Sequence, residues 1–253
     1  MSSRSPANEV GGPARSRAIE MAGFSDQGPV RKENQDAWQA IELTGGRSAL
    51  LLADGMGGHA GGSEAANAAV TAAARIVEAS TEAAPAALTA AVGAANDAVG
   101  EVAAQLGGDP GTTLVLAFIE GDEATVANVG DSRAYLVRAG TARPITQDHS
   151  WVGEQVQKGL IAPGDLRKHP RRNMITRAVM GEALTPDLFS VQLRPHDVLL
   201  LCSDGLWEPV EDEQLADLLT DDLPLSVLVE RAGRAALDAG GTDNVTVVAA
   251  RRL

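Results

Sequence analysis

Apolar positions along this chain fall into short runs separated by polar turns. Seven runs have the length and the Val, Leu, Ile and Ala content of strands: Ile19–Phe24, Ala49–Ala53, Leu114–Ile119, Ala124–Val129, Ala134–Arg138, Val198–Cys202 and Val245–Ala249. After the second run the period changes. Glu64, Asn67, Thr71, Arg75 and Glu78 form a polar stripe at spacings of three and four, and Ala66, Val70, Ala73 and Val77 form the opposite face. That spacing predicts a helix over Glu64–Glu78. A second, Ala-rich helix is expected from about Pro85 to Gln105. Helical patterns return over Asp212–Leu219 and Ser226–Ala239, the latter stopped by Gly240-Gly241.

Strands and helices come in blocks, not in strict alternation, which favours an α+β fold over a doubly wound parallel sheet. No internal repeat or linker divides the chain, so one domain is expected over residues 19–253. Residues 1–18, rich in Ser, Pro, Gly and Arg, read as a disordered leader or expression remnant. The polar stretch 151–173, with its Pro and Gly, reads as a lid or flap.

Composition narrows the function. The 253 residues suffice for a large core, but aromatics are only 3%, so Ala, Val and Leu must fill it. Asp and Glu number 34 against 21 Lys and Arg, a net charge of −13, which gives no electrostatic reason to bind nucleic acid or an anionic membrane. The surplus of carboxylates serves solubility or supplies cation ligands. With one cysteine, Cys202, there is no internal disulfide and no zinc site built on cysteine pairs. No apolar run reaches the roughly 18 residues needed to span a bilayer, and residues 1–18 lack the apolar middle of a signal peptide. A cytoplasmic monomer is expected.

The candidate chemistry lies at the strand ends. "LLLAD" stops at Asp54-Gly55, "VANVGD" at Gly130-Asp131, "VLLLCSD" at Asp204-Gly205, and Asp243-Asn244 precedes "VTVV". Taken singly, each pair is a favoured turn dipeptide. If all four lie at one edge of the sheets, their carboxylates converge and need a cation between them. Oxygen ligands without a Cys or His cluster suit Mg²⁺ or Mn²⁺. The glycine-rich "ADGMGGHAGG" at 53–62 fits neither nucleotide loop. A Walker loop needs a Lys it lacks, and Ala60 breaks the dinucleotide spacing. "LCSDG" lacks the first glycine of a nucleophile elbow.

Eight blocks in order carry a resemblance. They are "SDQGPVRKENQDAW" (25–38), "ADGMGGHAGG" (53–62), "GTTL" (111–114), "VGDSRAYLVRAG" (129–140), "ITQDHS" (145–150), "HPRRNMITRAV" (169–179), "LLLCSDGLWE" (from residue 199) and "GTDNVTVV" (241–248). The chain resembles the metal-dependent Ser/Thr protein phosphatases of type 2C in their bacterial form. The resemblance implies two packed, mainly antiparallel sheets flanked by helices, an αββα sandwich, with metals at one end and a flap beside them. It implies that Asp54 bridges two Mn²⁺ or Mg²⁺ ions while the Gly55 carbonyl binds one. Asp204 and Asp243 would complete one shell, and Asp36 would act on the other side, largely through water. Asp131, with Asp204, matches the position holding a third, weaker ion. Arg31 matches the phosphate-binding arginine.

The reaction implied is hydrolysis of phosphoserine and phosphothreonine in proteins, by a metal-bridging hydroxide attacking phosphorus in line without a covalent enzyme intermediate. The substrates would be those of a Ser/Thr kinase. His59 stands three residues after Met56, which occupies the place where eukaryotic relatives carry a histidine. His59 is a candidate general acid or a support for its loop. Asn244 is expected to orient Asp243 or a metal water, and Asn173 to approach the third ion. His149 and His169 are expected to be structural, and His196 to sit in a turn. Two alternatives stand beside this reading: a catalytically silent phosphoprotein-binding module on the same fold, and a hydrolase of small phosphate esters.

Overall fold

A computed structural model describes residues 19–57 and 61–253; the leader expected over 1–18 lies outside them. Eleven strands and six α-helices are described. The first three strands are β1 (Ile19–Asp26), β2 (Asp36–Leu43) and β3 (Arg47–Met56). Two long helices follow, α1 (Gly62–Ala79) and α2 (Ala84–Leu106). Then come β4 (Gly111–Thr112), β5 (Leu114–Glu120), β6 (Glu123–Val129), β7 (Arg133–Arg138) and β8 (Thr141–Pro144). The stretch expected to be a flap holds a short helix, α3 (Trp151–Gln157), and a 3₁₀ segment, Pro163–Lys168. The chain closes with β9 (Asp187–Gln192), β10 (Val198–Cys202), α4 (Asp204–Trp207), α5 (Asp212–Leu219), α6 (Leu225–Asp238) and β11 (Val245–Arg252).

The strands form two antiparallel sheets. One runs β1-β11-β10-β7-β8 and the other β2-β3-β5-β6-β9, with β4 paired to β3. The fold is therefore α+β, two sheets face to face with helices outside. Side chains alternate along each strand, so each strand contributes to two layers. In β3, Leu50 and Leu52, with Val115 of the same sheet, face the other sheet, where they meet Leu199, Leu201 and Val248. Ala49, Leu51 and Ala53 face the opposite way, onto Ala65, Ala69, Ala73 and Leu88 of α1 and α2. On the far side, Leu200, Cys202 and Val247 pack against Leu228, Val229 and Ala232 of α6. A strand buried on both faces reads as an unbroken apolar run, which is how β3, β5 and β10 announced themselves in the sequence.

The strands that sequence patterning passed over are β2, β9 and β8, each at an edge of its sheet, and the two-residue β4. Edge strands with one exposed face carry fewer apolar residues; β9 alternates half-buried and exposed along its whole length. Helix α4 is a single turn with no room for a periodic signal. Helix α6 ends as expected: Gly240 N–H donates to Leu237 O and Gly241 N–H to Ala236 O.

The same alternation builds a polar end to the sandwich. Two residues beyond the inward-facing Leu52, Leu201, Val115, Ala134 and Val248 stand Asp54, Ser203, Thr113, Ser132 and Thr246. The apolar layer between the sheets thus gives way at one end to acids and hydroxyls.

Candidate active site

Five aspartates meet at this polar end. Asp36 opens β2 and is paired in register with Asp54 on β3. Asp204 opens α4 directly after β10, and Asp243 lies two residues before β11 in the same sheet. Asp131 sits in the turn that carries the chain from β6 in one sheet to β7 in the other. A cavity of about 280 Å³ is lined by Asp54, Asp131, Asp204 and Asp243, with Arg31, Gly55, Asn173 and Ile175 among its other walls. Asp36 is buried beneath it.

The neighbours of these aspartates fix their backbones. Thr113 Oγ1 accepts from Asp54 N–H at 3.0 Å, while Thr113 N–H and Thr112 Oγ1 both donate to Asp54 O at 2.9 Å. Gly55 N–H donates to Gln35 O at 3.1 Å, and a Cβ at Gly55 would run into the Gly62 and Gln35 carbonyls. Only glycine lets three chain segments pass this closely. Gly205 is the counterpart after Asp204, pressed against the Asn244 carbonyl. Ser203 Oγ donates to Asp36 Oδ2 at 2.9 Å and accepts from Thr246 N–H at 3.0 Å. Trp207 Nε1 donates to Asp131 O at 3.0 Å, and the Arg133 guanidinium lies 3.6 Å from the Trp207 ring centroid. Arg133 is itself held by a two-pronged pair with Asp148, at 2.8 and 2.7 Å.

Charge decides what this arrangement can do. Burial, then the charges of Asp36, Asp204, Asp131 and Asp243, hold the Asp54 carboxyl well above the usual range. Burial, then Asp131 and Asp243, does the same to Asp204. Burial raises Asp131 to about 7, helped by Asp148. Burial raises Asp36 to about 6, against the pull of hydrogen bonds from Thr246 and Ser203. Among the described residues no three acid or histidine side chains are drawn together as a closed ligand cage. The carboxylates stand around the cavity instead, where mutual repulsion puts them. Two features fit a hard divalent cation: an all-oxygen donor set, and Asp36 Oδ1, which is buried without a hydrogen-bond partner.

Relatives share this architecture. The family model described as Protein phosphatase 2C matches residues 30–239. The chain belongs to the protein phosphatase 2C family. It is 34% identical over 235 residues to Protein phosphatase PhpP of Streptococcus pneumoniae, covering 90% of this chain and 96% of that one. It is 39% identical over 238 residues to Serine/threonine protein phosphatase PstP of Mycobacterium tuberculosis, covering 92% of this chain but 45% of PstP. The solved catalytic domain of PstP in complex with two manganese ions superposes with a TM-score of 0.81 at 35% identity, covering 92% of this chain and 97% of that one. Stp1 from Staphylococcus aureus superposes with a TM-score of 0.86 at 32% identity, covering 99% of each chain.

For this 2C-family chain, Asp36, Asp54, Gly55, Asp131, Asp204 and Asp243 all lie in or beneath the one cavity. Arg31 reaches it from the loop before β2, where its Nη2 donates to Asp243 Oδ2 at 2.5 Å. Its side chain is 52% exposed, which leaves the guanidinium open to an incoming anion. Its pKa is raised chiefly by that bond to Asp243. His59 lies outside the described residues. Asn244 holds Asp243 through its backbone, and its side chain is used elsewhere. Its side chain donates to Gln27 O at 2.7 Å and Glu33 O at 3.0 Å and accepts from Gln35 N–H at 2.9 Å. It is Asn244's backbone N–H that holds Asp243 Oδ1, at 2.8 Å.

His149 is buried; its Nδ1 accepts from Gly130 N–H at 3.1 Å and its Nε2 faces Asp187 at 3.2 Å. His169 stacks on Trp151, and His196 turns the chain with a left-handed backbone. Sequence reasoning missed Glu208 in the turn after α4. Burial raises its pKa, its charge is felt by Asp131 and Asp204, and Arg172 pairs with it at 2.9 Å. Its signal was the spacing "DGLWE", one helical turn after Asp204.

Proposed function

We propose that this chain removes phosphate from phosphoserine and phosphothreonine in proteins, with Mn²⁺ or Mg²⁺ held by Asp36, Asp54, the Gly55 carbonyl, Asp204 and Asp243. The observation that carries this is the convergence of acids from both sheets on one cavity with Arg31 at its rim. Two ions belong at the core, and a third, weaker one at Asp131 and Asp204, where Glu208 adds its carboxylate. When bound, the cations supply Lewis acidity, making water a nucleophile near neutral pH and offsetting phosphate charge.

The chain's own groups do the rest. Arg31 exchanges Asp243 for two phosphoryl oxygens, a geometry its planar fork suits. Thr112, Thr113 and Gln35 keep the Asp54–Gly55 backbone from yielding as charge develops. His59 delivers the proton that the departing serine or threonine oxygen needs. The stretch 151–173 forms the wall through which a substrate enters. The substrates are phosphoproteins made by a Ser/Thr kinase, and the working form is a cytoplasmic monomer. Among the described residues no helix is long and apolar enough to cross a membrane.

Purified protein, a phosphothreonine peptide and Mn²⁺, followed by EDTA, test the reading. Phosphate release that chelation abolishes supports it; no release with Mn²⁺, or release indifferent to EDTA, rejects it. Comparing the peptide with small phosphate esters separates protein substrates from small ones.

A further inference from the structure

Basic residues in this acidic chain are concentrated in the stretch that carries Asn173 and Ile175 to the cavity wall. Between residues 158 and 177 there are six Lys and Arg against one Asp, while the rest of the chain has 15 against 33 Asp and Glu. Four of the six are committed to carboxylates: Lys158 to Glu154, Arg167 to Glu211 and Asp212, Arg172 to Glu208, and Arg177 to Asp187. Lys168 and Arg171 are exposed and have no acidic partner among the described residues. Arg171 is nonetheless held in place. Its guanidinium lies 4.8 Å from the centroid of the Trp151 ring, which in turn stacks on His169. A guanidinium fixed by its face keeps its N–H edge free for an anion and loses little entropy on binding one.

The position of this cation relative to the cavity is fixed by the chain. Asn173 and Ile175, two and four residues on, line the cavity itself. Trp151 N–H donates to Met174 O at 2.7 Å, so the Trp151–Arg171 pair is tied to that wall. Two residues of chain span at most about 7 Å, and an extended peptide advances about 3.3 Å per residue. With the reach of an arginine added, a group on Arg171 lies two to four residues from a phosphate in the cavity. Resting on the phosphatase reading, we propose that Arg171 and Lys168 bind a second anionic side chain of the substrate, so that phosphoproteins carrying a carboxylate or another phosphate near the scissile one are preferred. The enzyme's net charge of −13 would otherwise repel such substrates.

The test uses fluorescent phosphothreonine peptides with Ala, Glu or a second phosphothreonine two, three or four residues to either side. Affinity is read by anisotropy in EDTA, where no turnover intervenes, and kcat/KM is read with Mn²⁺. The anion-bearing peptides should bind about three- to tenfold more tightly than the Ala peptides at one offset or more, phosphate more than carboxylate. That ratio should fall to about one in the Arg171→Gln/Lys168→Gln double variant and survive in Arg143→Gln, an exposed arginine on β8. Equal affinities for all peptides, or a preference that survives the double variant, overturns the proposal. A kcat/KM of zero for every peptide rejects the phosphatase reading, and the affinity ratio in EDTA still decides the anion site.

Discussion

Asp36 and Asp54 face each other directly across the β2–β3 ladder. Two carboxylates at facing positions destabilise an antiparallel pair, and Asp36 is taken from water as well. The fold keeps them by holding the Asp54 backbone through Thr112 and Thr113 and one Asp36 carboxylate oxygen through Ser203, and leaves the rest of their charge to a cation.

Asp54→Asn should therefore separate stability from function. Without metal the variant should melt a few degrees above the wild type, since about 1 kcal/mol of relieved repulsion is worth about 2–4 °C in a chain of this size. Saturating Mn²⁺ should raise the wild-type Tm by about 5–10 °C and leave the variant unmoved. Phosphopeptide turnover should fall at least about 10³-fold. Calorimetry with and without Mn²⁺ checks this; a variant less stable than wild type in EDTA, or one that still gains stability from Mn²⁺, contradicts it.

Asn244 ties the Arg31 loop to β11 through Gln27, Glu33 and Gln35. Asn244→Ala leaves those backbone groups without their partner, at a cost of about 1–3 kcal/mol. Its effect on kcat/KM should run through Arg31. In a double-mutant cycle, Arg31→Ala should cost at least about twofold less in the Asn244→Ala background than in wild type. A loss carried through Asp243 would instead raise the Mn²⁺ requirement and leave the Arg31 penalty intact.

The apolar runs of β3, β5, β6, β7, β10 and β11 were legible because strands covered on both faces cannot hide among polar residues. Edge strands β2 and β9 were not, because one of their faces meets water. The aspartates were legible as strand ends, but their convergence was not a local property. It depends on β6 handing the chain to β7 in the opposite sheet, and on the β2–β3 register that sets Asp36 against Asp54. Gly55 and Gly205 could be read as turn glycines; that each admits a neighbouring carbonyl could not. The side-chain bonds of Asn244 cross more than 200 positions of sequence to residues that carry no sign of it.

His59 can be assigned by choice of leaving group. A serine or threonine alkoxide must be protonated as it departs, whereas p-nitrophenolate leaves without help. His59→Ala should slow hydrolysis of a phosphothreonine peptide about 10²-fold and p-nitrophenyl phosphate far less. Equal losses on both substrates would make His59 a support for its loop rather than the proton donor.

His149 gives the fold a pH dependence whose sign is fixed by burial. Its Nδ1 accepts the Gly130 N–H, so the neutral ring carries its proton on Nε2, toward Asp187. Burial lowers its pKa, with Asp187 opposing and Arg177 assisting. The unfolded chain takes up a proton near the ordinary value of about 6.5, while the native ring resists until the pH is lower. The stability that neutral His149 confers is thus present above about pH 6.5 and is lost as the pH falls from there through the native value. His149→Asn cannot titrate. The Tm gap between wild type and variant, measured in EDTA from pH 7.5 to 5.0, should narrow steadily on the acid side. Protonation also forces the Gly130 N–H, one residue before Asp131, to give up its acceptor, so the same pH range should loosen the turn that joins the two sheets. A gap that stays constant with pH would mean that His149 contributes shape alone.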